Sequence, residues 1–129
     1  MSIKILILFC MIFCHIVDDY YLQGILASMK QKEWWKEFYP DDKYKKDYIV
    51  ALIMHGFSWT FMIMLSPTVY LLLTDSFNLL VFIILFVVNA FLHTFVDNQK
   101  ANKKTINLIT DQSFHIIQII WTWLGLLLV

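Results

Sequence analysis

Residues 78–97 read NLLVFIILFVVNAFLHTFVD, an apolar run that ends on His93 and Asp97. The run has the length of a bilayer crossing, which takes about 20 mostly apolar residues. An ionisable group in hydrocarbon costs about 3 kcal/mol or more unless it finds partners. Reading this stretch therefore means finding what His93 and Asp97 meet.

Three neighbouring stretches have the same character. With a crossing needing about 17–25 residues, the spans fall at about residues 3–28, 48–73, 78–96 and 106–129. Pro67 lies inside the second and predicts a kink or an end near Ser66. Of the 129 residues, 60% are hydrophobic, 17% aromatic and only 16% charged, with a mean hydropathy of +0.66. Soluble domains carry about 25% charged residues. The expected fold is all-α: a polytopic membrane protein, one four-transmembrane-helix bundle over residues 1–129, with a longer interfacial loop at 29–47. The opening MSIKILILFCMIFC lacks a small-x-small cleavage site and reads as a retained helix. Cys10 and Cys14 share one helical face and imply no disulfide framework.

A formal net charge of zero argues against nucleic acid as a partner. Every basic residue is lysine, and nine of the ten lie in the 29–47 and 97–105 loops. The positive-inside rule makes those loops cytoplasmic and both termini external. Only Lys4 dissents. The first loop interleaves lysines and acids with Trp34, Trp35, Phe38, Tyr39 and Tyr44. Such rings settle at headgroup level, so the loop reads as an interfacial anchor, or as a lid that reads lipid headgroups.

Each span carries one histidine, and three of the four stand four residues from an aspartate: His15 with Asp19, His93 with Asp97, Asp111 with His115. On a helix this spacing puts both groups on one face, about 6 Å apart along the axis. His55 is the fourth histidine, and at about 1.5 Å per residue all seven groups fall in the inner half of the bilayer. Imidazole and carboxylate without thiolate suit a divalent metal, zinc first, with manganese or iron as alternatives. The candidate ligands are His15, Asp19, His55, His93, Asp97, Asp111 and His115, holding one ion or two. Asp19, Asp97 and Asp111 are also the candidate proton carriers in catalysis. Gln23, Lys100 and Gln112 are expected to touch substrate or the ligands. Asp18, about 100° from Asp19 around an α-helix, reads as a bystander. A metal-free polar network and a haem between opposed histidines are weaker alternatives.

HIVDDYYLQ (15–23), His55, HTFVDNQK (93–100) and DQSFH (111–115), taken in order, resemble the family called domain of unknown function 3307. These are small polytopic membrane proteins of bacteria and their phages. His15, Asp19, Leu22 and Gln23 match its first element, and His55 its second. His93, Asp97 and Lys100 match the third, and Asp111, Gln112 and His115 the fourth. Tyr20 stands where phenylalanine is common, and the 30–47 loop is long and charged for the family. The polar pattern is also similar, more loosely, to that of small membrane-bound metal-dependent hydrolases.

Three functions compete. A metal-dependent hydrolase would act at the cytoplasmic leaflet on a lipid or phosphate-containing substrate, with Lys100 holding a phosphate. A proton or divalent-metal transporter, as a homo-oligomer, would use the same groups as a relay. A metal-stabilised scaffold would bind another membrane protein, as phage or defence factors do.

Overall fold

Every expected span becomes a long helix in the computed structural model, which describes residues 2–127. Positions 1, 128 and 129, included in the expected domain and last span, lie outside the described residues. Helix α1 covers Ile3–Val17 and continues as a π turn over Asp18–Leu22. Short helices α2 (Leu26–Met29) and α3 (Lys32–Phe38) and a 3₁₀ turn (Asp42–Tyr44) lead into α4 (Asp47–Leu73). Then come α5 (Leu79–Asn98), a second π turn (Gln99–Lys103) and α6 (Leu108–Leu127). Among the described residues there is no strand.

One boundary differs from expectation, and one of the two outcomes expected at Pro67 is excluded. The first span stops at Leu22 because Gly24 takes a left-handed conformation, φ +51, that breaks the helix before residue 28. The second does not end near Ser66: α4 runs through the buried Pro67 to Leu73. Proline removes one backbone donor there, which leaves only the Ile63 carbonyl without its partner, a loss transmembrane helices tolerate.

The packing is inverted relative to a water-soluble bundle. Helix α4 exposes Val50, Ile53, Met54, Phe57, Phe61 and Leu65 while burying His55 and Thr60. Single exposed apolar residues are ordinary, but a continuous apolar face over a polar interior is the pattern of a helix facing lipid. Three segments are long and apolar enough to cross a membrane: Ile3–Leu22, Asp42–Leu73 and Leu79–Lys103. Helix α6 falls short on composition because Asp111, Gln112, His115, Gln118 and Thr122 interrupt it. Four of those five side chains are buried.

Helix α4 is central, packing against α1, α5 and α6. Met11, Trp59, Ile63, Met64 and Ile119 fill the space between them. Gly56 sets the α4–α5 separation. A Cβ there would collide with Thr94 Oγ1 and stand 3.0 Å from the Ala90 carbonyl oxygen. Small residues allow this approach, and it brings His55 of α4 beside His93 of α5.

Candidate metal centre

Four helices deliver one histidine each to the same level of the bundle, and the carboxylates follow. The Nε2 atoms of His55 and His93 are 3.1 Å apart. His55 Nε2 also lies 3.3 Å from Asp19 Oδ1 and 3.4 Å from Asp97 Oδ2. His115 Nε2 stands 3.3 Å from Asp97 Oδ1 and 3.5 Å from Asp111 Oδ1. Donors bound to a tetrahedral ion at about 2.0–2.2 Å are separated from one another by about 3.3–3.6 Å. The observed spacings match the edges of such a shell.

Two donor sets emerge, Asp19–His55–His93 and His93–Asp97–His115, each with ligand atoms within 4.8 Å of one another. They share His93. One imidazole nitrogen has one lone pair, so His93 Nε2 can serve only one of the two sets. Asp97 lies between them, with Oδ2 on the His55 side and Oδ1 on the His115 side.

His15 has a different position from the one expected. The Trp59 indole N–H donates to its Nδ1 at 2.8 Å, which leaves the proton on Nε2 to donate to Gln112 Oε1 at 3.1 Å. Asp19 Oδ2 stands 3.5 Å from that Nδ1, which the indole proton already fills. Both ring nitrogens are engaged, so His15 lies outside the converging donor sets. Gln112 in turn donates to Asp19 Oδ2 at 3.3 Å and Asp111 Oδ2 at 3.1 Å. It braces two carboxylates from behind.

Asp18, expected to be a bystander, is 1% exposed and faces the cluster. The reason is the π turn. Its backbone bond runs from Gln23 N–H to the Asp18 carbonyl at 3.1 Å, five residues back. The wider turn brings successive side chains closer in angle than the about 100° of an α-helix, so Asp18 and Asp19 both point inward. Ser58 Oγ donates to Asp18 Oδ1 at 2.6 Å, and Asp18 Oδ2 lies 3.6 Å from His55 Nδ1. That distance is too long for a hydrogen bond, but the carboxylate's charge on this side of the ring favours a proton on Nδ1, the tautomer that turns Nε2 toward a metal. For His115 the corresponding contact is with Gln118, whose Oε1 is 3.5 Å from Nδ1. The Asn89 carbonyl and Oδ1 accept from Gln118 at 3.3 and 3.4 Å.

Two lysines close the lysine-bearing end. Lys30 Nζ donates to Asp97 Oδ2 at 2.6 Å, and Lys100 Nζ to Asp111 Oδ2 at 2.7 Å. Lys100 therefore reaches across to α6 and does not stay beside Asp97 on its own helix. Asn102 holds the Lys30 segment in place, donating to the Lys30 carbonyl at 3.0 Å and accepting from Lys32 N–H at 2.7 Å. Gln23 turns back on its own helix, donating to the Asp19 carbonyl at 2.5 Å, and contributes nothing to the donor sets.

Several buried polar atoms at the centre have no hydrogen-bond partner among the described residues: Asp18 Oδ2, Asp19 Oδ1, Asp111 Oδ1, His93 Nδ1 and His115 Nε2. Orphaned acceptors inside a bundle are costly. Two of these atoms, Asp19 Oδ1 and His115 Nε2, belong to residues of the donor sets, so the residues fit a divalent cation on geometry as well as on donor type. His93 and His115 are wholly buried, their rings tilted with centroids 4.2 Å apart, and the Trp59 ring stacks on His93 at 4.1 Å. Comparison of the chain with protein-family models, curated proteins and solved structures gave no match.

Proposed function

We propose that the chain is an integral membrane metalloprotein that hydrolyses a phosphate-bearing lipid at its lysine-rich face, and that its four motifs make it a member of the domain of unknown function 3307 family. All four long helices cross the bilayer, α6 included, because its polar residues face inward and its lipid side carries Ile109, Ile117, Ile120 and Trp121. Nine of ten lysines on one side make that side cytoplasmic. The observation that carries the reading is the convergence of His55, His93 and His115 with Asp19 and Asp97, beside Asp111 and beneath two ammonium groups.

Three imidazoles with carboxylates, and no thiolate, favour zinc over softer ions, with manganese or iron next. A divalent ion held there would supply Lewis acidity toward a phosphoryl or acyl oxygen. Lys30 and Lys100 supply positive charge at the mouth, where a phosphate would displace their carboxylate partners. Asp111 Oδ1, outside both donor sets, is a free acceptor and can take a proton from an attacking water. Trp59 and Met11, both 0% exposed, keep bulk water from the opposite side.

A second reading rests on the burial itself. The donor residues His55, His93, His115 and Asp97 are 4% exposed or less and the Asp19 side chain 6%, and the lysine ion pairs close that end. A site so closed also suits a metal that staples four helices and does no chemistry.

One experiment separates the two. Protein purified in detergent is analysed for bound metal, then assayed for phosphate release from phosphatidic acid. The hydrolase reading expects bound zinc and activity that Asp111→Asn abolishes while zinc is retained. Bound zinc with no turnover on lipid phosphates supports the staple. Absence of any bound divalent metal after reconstitution with zinc, manganese or iron refutes both.

A further inference from the structure

Away from the histidine cluster, the segment joining α3 to α4 encloses a pocket of about 570 Å³. Its walls come from one face of α3 and from the start of α4. Lys32, Trp35, Lys36 and Tyr39 follow the i, i+3, i+4, i+7 spacing of a single helical face, and all four line the pocket. Glu33 and Glu37, the acids of the same helix, do not line it. The helix has sorted its charges by face: lysine and aromatic rings inward, carboxylates outward.

The opposite wall carries Lys45, Lys46, Tyr48 and Ile49. Asp41 and Asp42 also reach the pocket, but each has a lysine of its own: Lys43 at 3.6 Å from Asp41 and Lys45 at 4.0 Å from Asp42. Among the described residues, Lys32, Lys36 and Lys46 have no carboxylate partner. Lys32 instead sits 4.8 Å over the Tyr48 ring. The floor is rigid. Trp35 is 9% exposed, its indole N–H donates to the Met29 carbonyl at 2.6 Å, and its ring stacks with Tyr44 at 6.3 Å.

We infer that this pocket binds an anionic phosphate ester, with Lys32, Lys36 and Lys46 meeting the phosphate oxygens and Trp35, Tyr39 and Tyr48 packing against the attached glycerol or similar moiety. The three free ammoniums select negative charge. The aromatic walls select an ester with an organic substituent over bare phosphate. The pocket flanks the first turn of α4, the end of a membrane-crossing segment, which puts it at headgroup depth. An anionic lipid headgroup is therefore the source the position favours, and a soluble glycerol phosphate shares the same chemistry. This assignment does not depend on metal or on turnover at the histidine cluster.

The test uses the full-length protein in detergent with added dioleoyl phosphatidylglycerol, dioleoyl phosphatidylcholine or glycerol 3-phosphate, and native mass spectrometry to count retained molecules. Phosphatidylglycerol is expected to be retained and phosphatidylcholine not. Lys36→Ala/Lys46→Ala is expected to weaken phosphatidylglycerol retention about thirtyfold, each lysine near an anionic surface contributing about one factor of five. Lys103→Ala/Lys104→Ala removes two lysines from the same membrane face outside the pocket and is expected to leave retention unchanged. Glycerol 3-phosphate bound with the same lysine dependence, and no phosphatidylglycerol, would keep the phosphate-ester chemistry and move its source to solution. Equal loss in both double variants would overturn the pocket, since the attraction would then be diffuse surface charge. Retention unaffected by Lys36→Ala/Lys46→Ala would overturn it as well.

Discussion

Asp18→Asn isolates the least expected contact of the site. The substitution keeps the size of the side chain and removes its charge, and Asp18 is only 1% exposed, so no solvent replaces what is lost. Asp18 holds the Ser58 hydroxyl at 2.6 Å and stands 3.6 Å from His55 Nδ1. If it fixes the His55 tautomer, its loss should cost about 10–100-fold in metal affinity, the usual effect of removing a carboxylate behind a ligating histidine. That range is about 1.4–2.7 kcal/mol. The assay is a zinc titration of metal-stripped protein against a chromophoric chelator. Asp42→Asn, on the exposed 3₁₀ turn, is the control and should leave affinity unchanged. Ser58→Ala should give a smaller loss, and the double variant should lose less than the two singles combined, because both act through His55. A folded Asp18→Asn protein with wild-type zinc affinity would refute the reasoning, since His55 would then need no carboxylate behind it.

Lys30→Met should destabilise the metal-free protein by about 3 kcal/mol, because it leaves the buried Asp97 without its ammonium. Zinc should then raise the melting temperature more in this variant than in wild type, and an equal or smaller rise would contradict the placement of Asp97 at the metal. Gly56→Ala should lower thermal stability in detergent by about 1–3 kcal/mol through the contacts at Thr94 and Ala90; a wild-type melting curve would show that α4 and α5 separate without cost. Zinc binding should release about two protons per ion, since four carboxylates and two ammoniums meet at the site and protons must balance the excess when no cation does. Calorimetry in buffers of different ionisation enthalpy measures this, and release near zero would mean that the cluster carries its charge unbalanced.

The sequence was a good guide wherever α-helical periodicity held. The spacing of four in His93–Asp97 and Asp111–His115 survives intact, because both pairs lie within regular helix up to Asp97 and from Leu108. It was a poor guide where the helix widens. Asp18 turns inward, and Lys100 turns toward α6, each within or beside a π turn that no residue pattern marks. The long-range partners were equally silent. Lys30 reads as one more interfacial lysine, and its ion pair with Asp97 spans 67 positions. Trp59 reads as membrane apolarity, yet its single N–H meets His15 Nδ1, and His15 lies outside both donor sets. Pro67 does not end its helix, because the one backbone bond it removes is a loss a long apolar helix tolerates.

The two lysines that meet the site carboxylates also bear on which way the chain lies. Lys30 and Lys100 belong to separate loops, and those loops hold nine of the ten lysines. Their ammoniums reach Asp97 and Asp111 directly, at 2.6 and 2.7 Å. The histidine cluster must therefore lie within one lysine length of the lysine-bearing face, whichever side of the membrane that is. Because Asn102 ties the Lys30 segment to the end of α5, the loops at that face cannot move without disturbing the ion pairs over the site. Whatever reaches the cluster from that face has to loosen those loops first, and an anion that competes for Lys30 and Lys100 is the chemistry able to do so.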